Sequence, residues 1–328
     1  MMKDVPLCTW PIIPSVARAF GESYDKRYFY GMTVDPLRAY SLLLIAGCLS
    51  LVGCAGGPRY PAANLNGDTY DPGPGWMLVW SDEFDGATLD PGKWRRQVEP
   101  AGRFNDEWQR YTDSTDNAYI DDGCLVIRAL HESDRHGMGE YTSARIHSLP
   151  ENGFRYGRVA ARIQLPYGQG LWPAFWMLGA NIDENGGDTP WPKTGEIDIL
   201  ELYGSKDDGV VEANIHYEPA DRWRASMGSV PMKLPEGRFA DNFHVFELEW
   251  DAEALKWFVD GEQFASTSIT GDEFTEFHRP FFILLNIALG GRAGGPVTDE
   301  TPFPQKMYVD WVRVYQASEP EHVLNSEH

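Results

Sequence analysis

The segment TGEIDILELYG, residues 194–204, sets three carboxylates, Glu196, Asp198 and Glu201, among isoleucines and leucines. Ionised acids are costly where a strand packs on a core, so the placement calls for a chemical reason. Glu196 and Asp198 are two apart and share one face of a strand. Strict alternation would bring Leu200 to that face next, not Glu201. One extra residue, a β-bulge, shifts the register and returns Glu201 to the face of the other two. Ile197 and Ile199 then point to the opposite, buried face. Acids crowded on a rigid strand repel one another, so their pKa values spread and one acid keeps its proton near neutral pH. That is the condition for one carboxylate to act as nucleophile while another donates a proton. Glycoside cleavage with retention needs two carboxyls about 5–5.5 Å apart. A two-residue step of roughly 6.5–7 Å along a strand meets that with modest side-chain tilt. The middle Asp198 can hydrogen-bond the nucleophile and bias its charge. Three such acids could also form a solvated edge or chelate calcium. The interleaved Ile and Leu weigh against that, because one face must be packed.

Sugar rings present apolar C–H faces, so a polysaccharide cleft needs aromatic platforms. Trp172 and Trp176, in GLWPAFWML, are four apart and face one side if the run is a strand. Trp191 stands just before the acidic strand. Each tryptophan could instead be core; Trp176 has the larger core share and Trp172 is the more sugar-facing. His216, in NIHYE, falls on the next predicted strand, where a lone histidine is ordinarily structural.

These residues need a rigid β scaffold, and the rest of the chain predicts one. Aromatic content is 13%, with 33 Gly and 23 Pro, which in a non-helical pattern indicates an all-β protein. Strand-like runs occupy 76–84, 124–130, 141–148, 156–165, 196–202, 211–217, 244–250, 255–265, 281–289 and 307–315. In GRVAARIQL, Val159, Ala161, Ile163 and Leu165 alternate with Arg158, Arg162 and Gln164, a clean period of two. Asp260-Gly261 is a hairpin turn signal. No repeat and no second domain is evident. The net charge of −21 excludes a nucleic-acid or anionic-membrane partner and suits a neutral polymer or a positive ion.

Residues 39–53, AYSLLLIAGCLSLVG, form an apolar run too short to span a bilayer comfortably, and LVGC (51–54) resembles a bacterial lipobox. This predicts a signal peptide over 32–54 with lipidation at Cys54; IAGC (45–48) and an ordinary cleaved signal are the alternatives. Ala55 after Cys54 favours the outer membrane. Residues 1–31 fit no signal pattern and are expected to be an over-extended reading frame, with Met32 as the start. Residues 55–75 read as a Gly/Pro-rich tether, 76–317 as the domain and 318–328 as a polar tail. With Cys54 lipidated, Cys124 is the remaining thiol of the exported chain. Its strand-like surroundings predict a buried small hydrophobe, and a disulfide framework or a Cys/His metal site is excluded by count.

From Trp76 to Gln316 the chain resembles family 16 of the glycoside hydrolases, in its bacterial laminarinase-like branch. GEIDILE looks like the bulged form of that family's signature; members without the bulge, such as lichenases, lack one residue between the Asp and the second Glu. WSDEFDG (80–86), DEWQRYT (106–112), YTSAR (141–145), YGQGLWPAFWMLG (167–179), RPFFILLNIALGG (279–291) and FPQKMYVDWVRVYQ (303–316) follow in the same order. The resemblance implies a β-jelly-roll sandwich, the concanavalin A-like lectin/glucanase fold, with two antiparallel sheets and a concave cleft. It implies Glu196 as nucleophile, Asp198 as its helper and Glu201 as acid/base. Trp172, Trp176 and Trp191 would line the subsites beside the nucleophile, and His216 would lie close to the acid/base side. Asn105 and Arg145 match positions that contact sugar on the other side. Relatives often read NNEL where this chain has FNDEW (104–108), and many have a small residue where Tyr217 stands, so Tyr217 is expected to reshape the positive subsites. No organic cofactor is implied. A structural calcium is, held by the carbonyls of Glu83 and Gly123 and the carboxylate of Asp310; Asp310 could also be a hydrogen-bonded buried acid. The expected function is a monomeric, lipid-anchored endo-β-1,3-glucanase acting on laminarin-like glucan. A galactanase of the same family, a transglycosylase and a non-catalytic glucan-binding protein are the rivals.

Overall fold

A computed structural model describes residues 70–228 and 230–318. All belong to the second of two units into which the chain divides, Ala62–His328. The expected signal with Cys54, residues 1–31, most of the tether and nearly all of the tail lie outside the described residues.

The described chain is an all-β sandwich of two sheets, as predicted. One sheet runs Glu262–Ser268, Ala254–Val259, His244–Trp250, Gly157–Gln164, Gln305–Ala317, Cys124–His131, Tyr141–Ser143, Gln109–Tyr111. Trp76–Asp82 also pairs with Gln305–Ala317, so the two ends of the domain share a ladder. The second sheet runs Ala225–Gly228, Val210–Tyr217, Glu196–Glu201, Leu171–Gly179, Phe281–Leu289, Arg145–Ser148, Trp94–Gln97. The acidic strand thus sits inside its sheet, paired on both edges, where it is held most rigidly. No described helix is long and apolar enough to cross a membrane.

Alternation explains which side chains meet between the sheets. Ile197, Ile199, Phe175, Met177, Ile215, Ile283 and Leu285 from one sheet pack with Val159, Ala161, Ile163, Phe246, Leu248, Trp257 and Val312 from the other. Each fully buried large side chain contributes about 1.5–3 kcal/mol of transfer free energy. Asp260 and Gly261 both have positive φ, 51° and 82°, as the two-residue hairpin turn between Ala254–Val259 and Glu262–Ser268 requires. Cys124 is 4% exposed, and burial pushes its thiol up to about 12, so it is an inert core residue as expected. Sequence periodicity misses one long strand, Leu171–Gly179, where Pro173 breaks the strand signal, and five short ones: Trp94–Gln97, Gln109–Tyr111, Ala118–Asp121, Ala225–Gly228 and Met232–Lys233. In the short strands two to four residues carry too few alternations to register, and longer neighbours recruit them.

Candidate active site

Gly195 delivers the chain onto the acidic strand. Its φ is 82°, and a Cβ there would lie 2.8 Å from the Phe281 ring, so glycine is required on both counts. The predicted bulge is present. Asp198 lies opposite Trp176, but Leu200 already lies opposite Phe175, so Ile199 is the extra residue. On the other edge Asp198 faces Asn214 and Glu201 faces Glu212. Ile199 and Leu200 both turn into the core, and Glu201 rejoins the cleft face. A cross-sandwich contact braces this point: the Trp257 indole Nε1, from the facing sheet, donates to the Asp198 carbonyl at 3.0 Å.

The cleft on this face, of about 530 Å³, is lined by Glu196, Asp198, Glu201, Asn105, Arg145, Trp172, Trp176, Trp191 and His216. These are the nine residues that sequence reasoning selected as catalytic or sugar-binding, drawn from six separate segments. Trp191 Nε1 donates to Glu196 Oε2 at 2.8 Å. His216 Nε2 lies 3.5 Å from Glu196 Oε1 and 3.3 Å from Asp198 Oδ2, both at ion-pair distance and without hydrogen-bond alignment. Glu201 receives three donors: Trp172 Nε1 at 2.8 Å, Tyr203 Oη at 2.7 Å and Asn214 Nδ2 at 2.5 Å. Burial, and then the neighbouring Asp198, push Glu196 up to about 8. Asp198 is raised well above the usual carboxylate range by burial and by Glu201, with Arg224 pulling the other way. The Glu196–Asp198 pair is therefore biased toward its protonated forms, and its titration belongs to the pair.

Trp172, Trp176 and Trp191 are half-buried, each with its indole N–H committed below and ring surface left to the cleft. Trp176 donates to Asn286 Oδ1 at 2.7 Å and packs with Trp191 on a small apolar cluster of Leu178, Ile182, Phe282 and Leu284, the core share expected of it. Arg145 is buried between Phe104 and Trp176, its guanidinium 4.4 and 4.7 Å from their ring centroids. Asn105 donates to Glu107, which also accepts from Gln109 and Tyr111.

Residues 105–313 match the sequence pattern of Glycosyl hydrolases family 16. The chain belongs to this family. It is 38% identical to a beta-glucanase of Rhodothermus marinus, over 81% of this chain and 91% of the relative. It is 33% identical to glucan endo-1,3-beta-glucosidase A1 of Niallia circulans, over 89% of this chain; the chain spans about half of that relative, 48%. Its structure superposes on the catalytic domain of an endo-1,3-beta-glucanase (laminarinase) from Thermotoga petrophila with a TM-score of 0.64 at 41% identity, covering 74% of this chain and 99% of that one. The protein is a glycoside hydrolase of family 16, and no organic cofactor is needed for that chemistry.

Several expectations drawn from the family meet different outcomes. His216, expected close to the acid/base side, lies instead beside Glu196 and Asp198, because register pairs it with Glu196. Trp172, expected beside Glu196, instead donates to Glu201. Tyr217 does not shape the subsites: it is 5% exposed, on the core side of its strand, with its ring against Phe274 and Phe277. His216 before it points to the cleft, so alternation sends Tyr217 inward. Around the expected calcium position, Asp310 Oδ2 accepts from Arg162 Nη1 at 2.6 Å, and the Glu83 carboxylate is held by Arg313 at 2.6 and 2.9 Å. Oxygen donors are right in kind for calcium, but an ion there shares Asp310 with a guanidinium.

Sequence reasoning missed Glu107, Tyr111, Tyr203, Asn214, Arg224 and Asn286, which also line the cleft. Asn286 is the lone polar residue of FFILLNIAL, and Asn214 is two before His216 on the same face, so both left a signal. Arg224 left none, because it precedes a short strand whose position only pairing decides.

Proposed function

We propose that the chain is an exported endo-β-1,3-glucanase that cleaves laminarin-like glucan by retaining double displacement. One observation carries this reading: the bulge at Ile199 sets Glu196, Asp198 and Glu201 on one face, in a cleft flanked by Trp172, Trp176 and Trp191. The names of its family relatives point to the same substrate. Glu201 gives its proton to the glycosidic oxygen as Glu196 attacks the anomeric carbon. The C–O bond to the leaving sugar breaks and a glycosyl ester forms on Glu196. Glu201, now a carboxylate, takes a proton from water; the water oxygen attacks the anomeric carbon and releases Glu196. Asp198, in its protonated form, is placed to stabilise the Glu196 carboxylate before attack and again as it is released. The four cleft arginines are engaged by protein groups: Arg103 with Glu99 and Glu184, Arg292 with Asp106, Arg145 between the rings of Phe104 and Trp176, and Arg224 against Trp191 and His216. This favours a neutral glucan over a sulfated galactan.

The reading includes export by the 32–54 signal, lipid anchoring at Cys54, a monomeric state, and a structural calcium at Asp310 with the carbonyls of Glu83 and Gly123. The test is reducing-sugar release from laminarin, lichenan, agarose and κ-carrageenan, with anomer analysis of the products. Laminarin is expected to be cut with retention, and Glu196→Gln and Glu201→Gln each to lose at least about a thousandfold in kcat. Release only from a galactan would overturn the substrate. Binding without cleavage would overturn the catalysis, and transfer to sugar outpacing hydrolysis would make the chain a transglycosylase.

A further inference from the structure

His216 pairs with Glu196 across the ladder and turns Nε2 toward Glu196 and Asp198. A neutral imidazole carries one ring proton, and its position decides whether the acids meet a donor or an acceptor. The answer lies on the other nitrogen. Arg224 Nη2 is 3.3 Å from His216 Nδ1, and Ser226 Oγ is 2.6 Å from it. A guanidinium has N–H donors and no acceptor, so Arg224 can only donate to Nδ1. Arg224 Nε also donates to Ser226 Oγ at 3.2 Å. The serine hydroxyl has a second lone pair and a hydrogen of its own, so it can meet either tautomer; the guanidinium, a donor only, decides between them. Both neighbours can then close on an Nδ1 lone pair.

We propose that Arg224 and Ser226 lock His216 in its Nε2–H tautomer, so that the imidazole presents an N–H and not a lone pair toward Glu196 and Asp198. Arg224 is then a positioning residue for the nucleophile, an assignment that rests on Glu196 having that role. The same guanidinium lies 4.9 Å from the centroid of Trp191, whose indole donates to Glu196 Oε2. Both groups that bracket Glu196 therefore lean on one arginine, which stands exposed at the edge of the sheet. The rival use of this cluster is a metal site, because donor atoms of Glu196, Asp198 and His216 lie within 4.8 Å of one another. A metal needs a bare Nε2 and places the proton on Nδ1, where Arg224 offers it no acceptor. The clamp and the metal site are mutually exclusive readings, and the clamp accounts for more of the contacts.

The test is a long-range 1H–15N correlation spectrum of the uniformly 15N-labelled chain, without substrate. Wild type is expected to show a protonated Nε2 and a bare Nδ1 at His216. Arg224→Gln combined with Ser226→Ala gives Nδ1 an amide oxygen to donate to, and is expected to populate the Nδ1–H tautomer. Arg224→Lys, which remains a donor only, is expected to keep the wild-type pattern. On laminarin the double variant should lose about tenfold or more in kcat while KM stays within about twofold. Nδ1–H or doubly protonated His216 in wild type would overturn the clamp, as would a double variant with unchanged tautomer. A tautomer change without loss of kcat would overturn its role in positioning. The spectra stand whether or not glucan is the substrate, so failure of the clamp and failure of the glucanase reading are separable.

Discussion

Glu196 is held under two opposed demands. Displacement chemistry needs it ionised, yet burial and the neighbouring Asp198 push it up to about 8. Its unfolded pKa is about 4.3, so between those values the folded chain binds more protons than the unfolded chain. The stabilising contribution is fully present below the unfolded pKa and is lost as pH rises through the folded one. Glu196→Gln keeps an oxygen acceptor for Trp191 and removes the ionisation. The variant is expected to melt a few degrees above wild type at about pH 8, with the gap closing toward about pH 4. Thermal melts at both pH values check this. A gap that does not change with pH would contradict the burial argument.

The bulged strand is the element on which the site depends. Inserting Ile199 sends two consecutive side chains into the core and frees the backbone around Asp198 from regular pairing. Trp257 satisfies the Asp198 carbonyl from the facing sheet. Trp257→Phe leaves that buried acceptor without its indole donor, at a cost of about 1–3 kcal/mol, and Tm should fall by several degrees. Its kinetic mark should be a fall in kcat larger than any rise in KM, because the carboxylate spacing is disturbed while the platforms stay. Steady-state kinetics on laminarin would show this; a KM effect alone would mean that Trp257 supports binding and not the bulge.

At the scale of the whole molecule, a charge of −21 does not oppose the neutral glucan proposed as substrate. The proposed anchor adds a location to that chemistry. Cys54→Ala is expected to move the protein from the membrane fraction to the soluble fraction on cell fractionation; an unchanged distribution would remove the lipid. Calcium belongs at this scale as well, since Asp310 sits on the long strand that joins both ends of the domain. Calcium is expected to raise Tm and a chelator to lower it, with Asp310→Asn abolishing the difference. Equal melts in calcium and chelator would leave Asp310 as an ion-pair partner of Arg162 and not a calcium ligand.

Much of this protein is legible in its sequence because the physics is local. Period two marks the long strands, Asp-Gly marks a hairpin, and three acids at offsets of two and three demand a bulge. Those signals fix the sandwich, the acidic strand and the tryptophans beside it. The tertiary structure decided what depends on partners from distant segments. It turned Tyr217 into the core and gave Glu201 its donors from Trp172, Tyr203 and Asn214. It set Trp257 under the Asp198 carbonyl from the facing sheet and brought Arg224 to His216 through a four-residue strand. Side-chain alternation is written along one strand, whereas a hydrogen-bond partner is chosen across strands, and only register and sheet order make that choice.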